Sequence, residues 1–157
     1  MDAQSEILLD HIISSARIAS LSTIRDEAPR VSMVTFVAAH DFSAFYIHVS
    51  RLAQHTVDMN KNKLVSLLIA ENDDGRADPQ TLARISIHAS AIFMENGEPG
   101  YAPVKNQYIE KFPDSEPLFK LADFGLWRLK PKGARFIADF AKAYNLSPET
   151  LQKVAQK

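Results

Sequence analysis

Hydrophobic and polar positions along the chain change their period several times, and those changes mark the elements. Apolar residues Ile7, Leu8, Ile12 and Ile13, followed by Ala16, recur at helical spacing and predict an amphipathic helix over residues 3–17. Ile18 to Ile24 alternates and runs into Arg25-Asp26-Glu27, which predicts a strand closed by a charged turn. Two further strands are expected at Val31 to Ala39 and Ala44 to Val49, separated by the turn at His40-Asp41. Ser50 has the chemistry of a helix cap, so a short helix is predicted over 51–61. Leu64 to Ala70 is apolar except for Ser66 and reads as a central strand buried on both faces.

The second half continues in the same way. Glu71 to Pro79 is acidic and turn-rich, a surface loop. Ala83 to Met94 alternates most regularly, with Arg84, Ser86, His88 and Ser90 on one side and Ile85, Ile87, Ala89 and Ala91 on the other. Helical residues follow from Tyr101 to Phe112, then a break at Pro113-Asp114-Ser115 and a short helix near Glu116–Leu121. Phe124 to Leu129 and Ala134 to Phe140 read as two strands joined by a turn at Pro131 and Gly133. Ser147-Pro148-Glu149 starts a final helix. Many short antiparallel strands with helices between them predict a mainly β, α+β domain: an antiparallel barrel with its ends plugged by helices. A small, partly open barrel gains by pairing with a second copy, so a homodimer is expected.

Composition narrows the classes. The chain has 157 residues, enough for a single domain over 1–157, with 46% hydrophobic and 24% charged residues. The net charge of −1 argues against a nucleic-acid partner bound through bulk positive charge. There is no cysteine, which removes disulfides, thiolate metal sites and a cysteine nucleophile. The opening residues resemble neither a signal peptide nor a membrane span, so a cytoplasmic protein with no membrane partner is expected.

Two segments carry candidate chemistry. One is Pro29-Arg30-Val31-Ser32, which opens a strand; the other is Ser50-Arg51-Leu52-Ala53-Gln54-His55-Thr56, where a strand meets a helix. If their strands form a hairpin, Arg30 approaches the Ser50–Arg51 corner. Free N–H groups at a helix start, joined by arginine and hydroxyls, suit a phosphate. Arg84 on a polar strand face could add another charge. The residues alone leave a plainer reading open: Ser50 as a simple cap and the arginines as solvated. The five histidines show no spacing that requires a metal. His48 and His88 could meet across strands, but packing or surface roles explain them as well. Nucleophile elbow, phosphate loop and dinucleotide fingerprint are all absent.

The run PRVSMVTFVAAHDFSAFYIHVSRLAQHTVDMNKNKLVSLLIAE resembles the core of the pyridoxamine 5'-phosphate oxidase-like FMN-binding split barrels. Ser50 to Thr56, the stretch from Phe112 to Phe124, and Gly133 to Tyr144 are similar to the haem-utilisation (HugZ-like) branch. The resemblance implies a homodimeric split barrel with FMN at the subunit interface and an unidentified small-molecule substrate. It implies that Arg30 and Ser32 approach the flavin and its phosphate, and that Ser50, Arg51, His55 and Thr56 form the phosphate corner. Arg84 matches a later arginine. Haem-degrading members carry a ligand histidine in a C-terminal segment. No histidine follows His88 here, so haem breakdown is not expected. The terminal substrate motif of true pyridoxamine phosphate oxidases is missing as well. The resemblance therefore points to an FMN-dependent oxidoreductase, or to a protein that stores or senses FMN or haem without turnover.

Overall fold

The computed structural model describes residues 1–155. Helix α1 (Ala3–Ser15) is followed by strands β1 (Ile18–Arg25), β2 (Ala28–Thr35), β3 (Val37–Ala38) and β4 (Phe45–Ser50). Helix α2 (Gln54–Lys61) leads to β5 (Leu64–Ala70) and β6 (Arg84–Met94). Helix α3 (Tyr101–Lys111) and a 3-10 segment (Pro113–Lys120) precede β7 (Phe124–Asp139), β8 (Lys142–Leu146) and α4 (Pro148–Val154). The strands form one antiparallel sheet in the order β2-β1-β5-β6-β7-β4-β3, with β8 added to β7. No ladder joins β2 to β4, although the two strands come into contact as the sheet curls. The barrel is therefore split rather than closed.

Three local devices set this path. Asp2 caps α1 by accepting from the Ser5 amide at 2.9 Å, and Ser147 caps α4 by accepting from the Thr150 amide at 3.2 Å. The β1–β2 hairpin turns through Asp26 and Glu27, both at positive φ (48° and 65°). Two residues at positive φ give the strand twist a tight hairpin needs, at a cost for residues other than glycine. Inside the curl lies the main core: Leu9 and Ile13 of α1, Leu21 of β1, Ile47 of β4, Leu67 and Ile69 of β5, Ile85 and Ile87 of β6, and Phe136 of β7 are all fully buried.

The structure corrects several boundaries. Phe124 to Asp139 is one strand of 16 residues, not two strands and a turn. Pro131 is absorbed beside the β6–β7 register shift, where His88 faces Gly133 and Ala89 faces Pro131, leaving Lys132 unpaired. The expected strand 31–39 starts earlier and divides around Phe36 into β2 and β3. The segment 142–146, unassigned from sequence, pairs with β7 as β8.

The expectation that β5 is buried on both faces also fails. It is central in the ladder, but Leu64 and Leu68 remain 54% and 41% exposed because no layer covers the outer side. The strand that does approach burial on both faces is β4. Phe45, Ile47 and Val49 enter the main core. On its other side, α3 and the 3-10 segment bring Tyr108, Phe112 and Phe119 against it in a second small core.

Candidate functional site

Helix α2 begins later than the sequence implied. Its N-cap is Ala53, with no side-chain capping bond, and Ser50 is the last residue of β4. The Ser50 hydroxyl accepts from the Leu52 amide at 3.1 Å and donates to Asp123 Oδ2 at 3.3 Å. The Thr56 hydroxyl, almost wholly buried, donates to the Ser50 carbonyl at 2.7 Å. Ser50 and Thr56 thus tie the strand end to the helix start. The Arg51 amide donates to the Asp123 carbonyl at 2.5 Å. Its guanidinium lies 5.5 Å from the centre of the Phe93 ring. That ring occupies space that a Cβ on residue 125 would need, at 2.6 Å, so Gly125 permits the arrangement.

Arg30, Ser32 and His55 do come together. They line a pocket of about 320 Å³ with Arg25, Val31, Gln54 and Asp58. The route differs from the expected hairpin. β2 and β4 do not pair; instead α2 packs on the β1–β2 hairpin, which puts His55 and Arg30 on one pocket. The amides of Gln54 and His55 open the helix and have no intrahelical acceptor. His55 Nε2 is buried and has no hydrogen-bond partner. Burial pushes the His55 imidazole below its ordinary pKa, against the partly opposing pull of Asp58. That burial biases the ring toward its neutral form.

Two residues here were not singled out from the sequence. Asp58, 1% exposed, accepts from the Thr23 hydroxyl at 2.9 Å and from Arg25 Nε at 2.6 Å. Burial alone would raise its pKa. The Thr23 and Arg25 hydrogen bonds, with the charges of Arg25 and Arg30, hold it below the ordinary carboxylate value instead. The signal was available as a charged residue on the inner side of a short helix, but it needed the knowledge that α2 packs on β1.

Ser50, Arg51, Thr56 and Arg84 do not line this pocket. Arg84 pairs with Ala70 at the opposite end of the ladder from Arg25. Its Nη1 donates to the carbonyls of Gln80 and Leu82 at 2.9 and 2.8 Å. His48 and His88 do not meet either. His88 is exposed on β6 opposite Ser66, whereas His48 is buried on β4. His48 stacks on Phe119 at 3.7 Å between ring centres and meets the edge of Tyr108 at 5.9 Å.

A second, larger groove of about 700 Å³ lies between the end of α1 and the loop after β5, with His11, Arg17, Glu71, Asp74 and Arg76 on its walls. Arg76 there is already paired with Asp74 at 2.8 Å. Its charges are mixed and internally matched. The smaller pocket holds the unpartnered nitrogen and the open helix start, and is the better candidate.

Residues 8–138 match the pyridoxamine 5'-phosphate oxidase family. The chain belongs to that family. Among its relatives, the non-canonical heme oxygenase HOZ of Arabidopsis thaliana chloroplasts is 34% identical over 116 residues. That match covers 74% of this chain and 34% of the relative, so the chain spans about a third of the plant protein. Heme oxygenase HutZ of Vibrio cholerae is 27% identical over 124 residues, covering 78% of this chain and 69% of HutZ. The solved structure of HutZ, described there as a haem storage protein, superimposes with a TM-score of 0.74 at 25% identity, over 85% of this chain and 94% of that one. An FAD-binding protein from Mesorhizobium loti shares the fold at a TM-score of 0.64 and 14% identity, over 82% and 88% of the two chains. The sheet described above is the antiparallel split barrel of this family, and the resemblance to its haem-utilisation branch holds. Among the described residues, no helix is long and apolar enough to cross a membrane.

Proposed function

We propose that this family member is an FMN-binding flavoprotein whose α2 pocket holds the cofactor phosphate. The observation that carries the reading is the grouping of Arg30, Ser32 and the unpartnered His55 Nε2 at the open start of α2. A guanidinium gives paired, charge-assisted bonds to phosphate oxygens, and helix-start amides add oriented donors. These residues fit the phosphate end of the group. Val31 belongs to the same pocket and is 72% exposed, as is its neighbour Met33 at 71%. With Leu64 and Leu68 they make an exposed apolar patch on the outer face of the sheet, the face opposite the side chains of Arg30 and Ser32.

The same exposed residues support a homodimer, because an uncovered apolar sheet face is costly in a single chain. The flavin would supply electron transfer, making the protein an oxidoreductase. The chain's own residues would anchor and orient the cofactor: Arg30 by charge, Ser32 by its hydroxyl, and His55 by donating a ring N–H. Ser50 and Thr56 keep the corner in shape, and Arg51 stands beside it.

A second reading is haem binding, for storage or for turnover. It is favoured by the heme oxygenase HOZ and by HutZ, and haem carboxylates can use the same arginine.

One set of titrations separates the readings. FMN is expected to bind far more tightly than riboflavin, and Arg30→Ala to weaken FMN by roughly 1.5–3 kcal/mol. Equal affinity for FMN and riboflavin would sink the phosphate site. A haem absorbance band that saturates at one equivalent, with no flavin bound, would establish the second reading. Light scattering is expected to give a dimer; a fully FMN-loaded monomer refutes the interface. Reduction of bound flavin by NADH or NADPH, followed by absorbance, distinguishes an oxidoreductase from a binding protein.

A further inference from the structure

We propose that Arg25, locked by the buried carboxylate of Asp58, is a second arginine ligand for the phosphate group, and that Asp58 is its positioning residue. The inference rests on the phosphate reading of the α2 pocket and adds two residues to it.

Arg25 ends β1, immediately before the strained Asp26-Glu27 turn. Its Nε donates to Asp58 Oδ1 at 2.6 Å. One terminal nitrogen donates to the Gln54 side-chain oxygen and the other to the Gln54 carbonyl at 3.2 Å. A guanidinium carries five N–H groups. Three are engaged here, which leaves one on each terminal nitrogen. The side chain is 23% exposed and lines the pocket with Arg30.

A free surface arginine must surrender its rotamer freedom when it meets a ligand. Arg25 cannot move away, because doing so would leave Asp58 charged, buried and without its ion partner. Its position is fixed before any ligand arrives. Gln54 is the first residue of α2, so the same contacts tie the helix start to the hairpin. Donors from β1, β2 and α2 therefore form one rigid set. Two guanidinium groups and one carboxylate leave a single net positive charge, so the pocket selects by placement of donors more than by surplus charge.

The test compares wild type with Arg25→Gln, Asp58→Asn and Asp58→Glu, using FMN, riboflavin and inorganic phosphate as probes. Arg25→Gln is expected to weaken FMN about tenfold and leave riboflavin unchanged. Asp58→Asn keeps the size of the side chain and makes the protein more positive. A simple charge effect would tighten FMN, whereas loss of positioning weakens it. The inference requires weakening, with partial recovery in Asp58→Glu. If Asp58→Asn fails to fold by circular dichroism, the Arg25→Gln result decides. FMN affinity unchanged in Arg25→Gln, an equal loss for FMN and riboflavin, or tighter FMN in Asp58→Asn overturns the inference.

The phosphate arm separates this inference from the reading beneath it. A wild type that prefers FMN, joined to an indifferent Arg25→Gln, removes only Arg25 and Asp58. Suppose instead that wild type shows no FMN preference, but phosphate raises its melting temperature and Arg25→Gln abolishes the rise. The arginine pair then stands and the flavin assignment falls.

Discussion

His48, a buried imidazole, and His55, a half-buried one, each have one buried ring nitrogen lacking a partner, yet their surroundings differ. His48 packs among the rings of Phe119, Phe124 and Tyr108, with ring centres 3.7, 5.4 and 5.9 Å away. His55 borders a pocket that also holds Arg30, Ser32 and Arg25. An unsatisfied polar atom in a packed aromatic box reports a cost accepted for packing. The same atom on a side chain that lines a pocket with two arginines stands where a ligand group can approach the ring. The neighbours make the distinction, in line with the sequence, which puts His55 at a helix start and His48 on a strand.

The comparison breaks most sharply at Tyr108. Its ring is 2% exposed, and its hydroxyl lies 2.6 Å from Thr35 Oγ1 while donating to the Thr35 carbonyl at 3.1 Å. Tyr108→Ala is expected to cost about 3–5 kcal/mol in urea unfolding. The ratio of FMN to riboflavin affinity should not change. A shifted ratio would mean that the box and the pocket are one functional unit.

The next effect is a pH dependence. Burial, with a smaller push from Lys105, lowers the His48 pKa from 6.5 to about 4. The unfolded chain takes up a proton near 6.5 while the folded one resists it until about 4. Stability from this group is therefore full above pH 6.5 and declines as pH falls toward 4, by on the order of 2–3 kcal/mol. Replacing His48 by Phe should flatten that decline; an unchanged slope across denaturation at pH 7, 5.5 and 4.5 counts against the assignment. His55 is lowered in the same direction and adds to the slope. A bound phosphate beside it favours the imidazolium, so saturating FMN should reduce the His55 share and leave the His48 share intact.

The smallest effect is expected at the turn next to Arg25. Glu27 has φ of 65°, a conformation that glycine adopts without steric cost. Glu27→Gly should raise stability by roughly 0.5–1 kcal/mol after the entropy cost of glycine. A loss of stability in thermal unfolding would show that the Glu27 side chain contributes something its backbone strain conceals.

The sequence was most legible where one physical signal acted alone. Alternation placed β6, and Ser147-Pro148 placed the start of α4, because period and cap chemistry are local. It was least legible where distant segments decide burial. β5 is the more apolar run but has one open face, whereas β4 contains a histidine and is the more enclosed strand. The cover for β4 comes from residues 101–120, which nothing within β4 announces. The candidate site divides in the same way. Arg30, Ser32 and His55 were marked by residue type near a helix start, and they do share a pocket. Ser50 and Thr56 proved to join strand to helix through their own hydrogen bonds, and Arg84 lies at the far end of its ladder. Arg25 and Asp58 escaped notice because their partnership spans 33 residues.

The pairing of β4 with β7 has a consequence for a chain still being synthesised. β4 ends at residue 50, and its long ladder, from Phe45–Leu129 to Ser50–Phe124, needs residues made some 75 positions later. Until then β4 has only the two-residue strand β3 beside it. The hairpin carrying Arg25 and Arg30 can form early, being local, but the strand that delivers α2 to it gains its main support only from β7, which starts at Phe124 of 157 residues. A nascent chain halted before Phe124 is therefore expected to leave the ribosome without a formed α2 pocket, even though every residue lining it has already been translated.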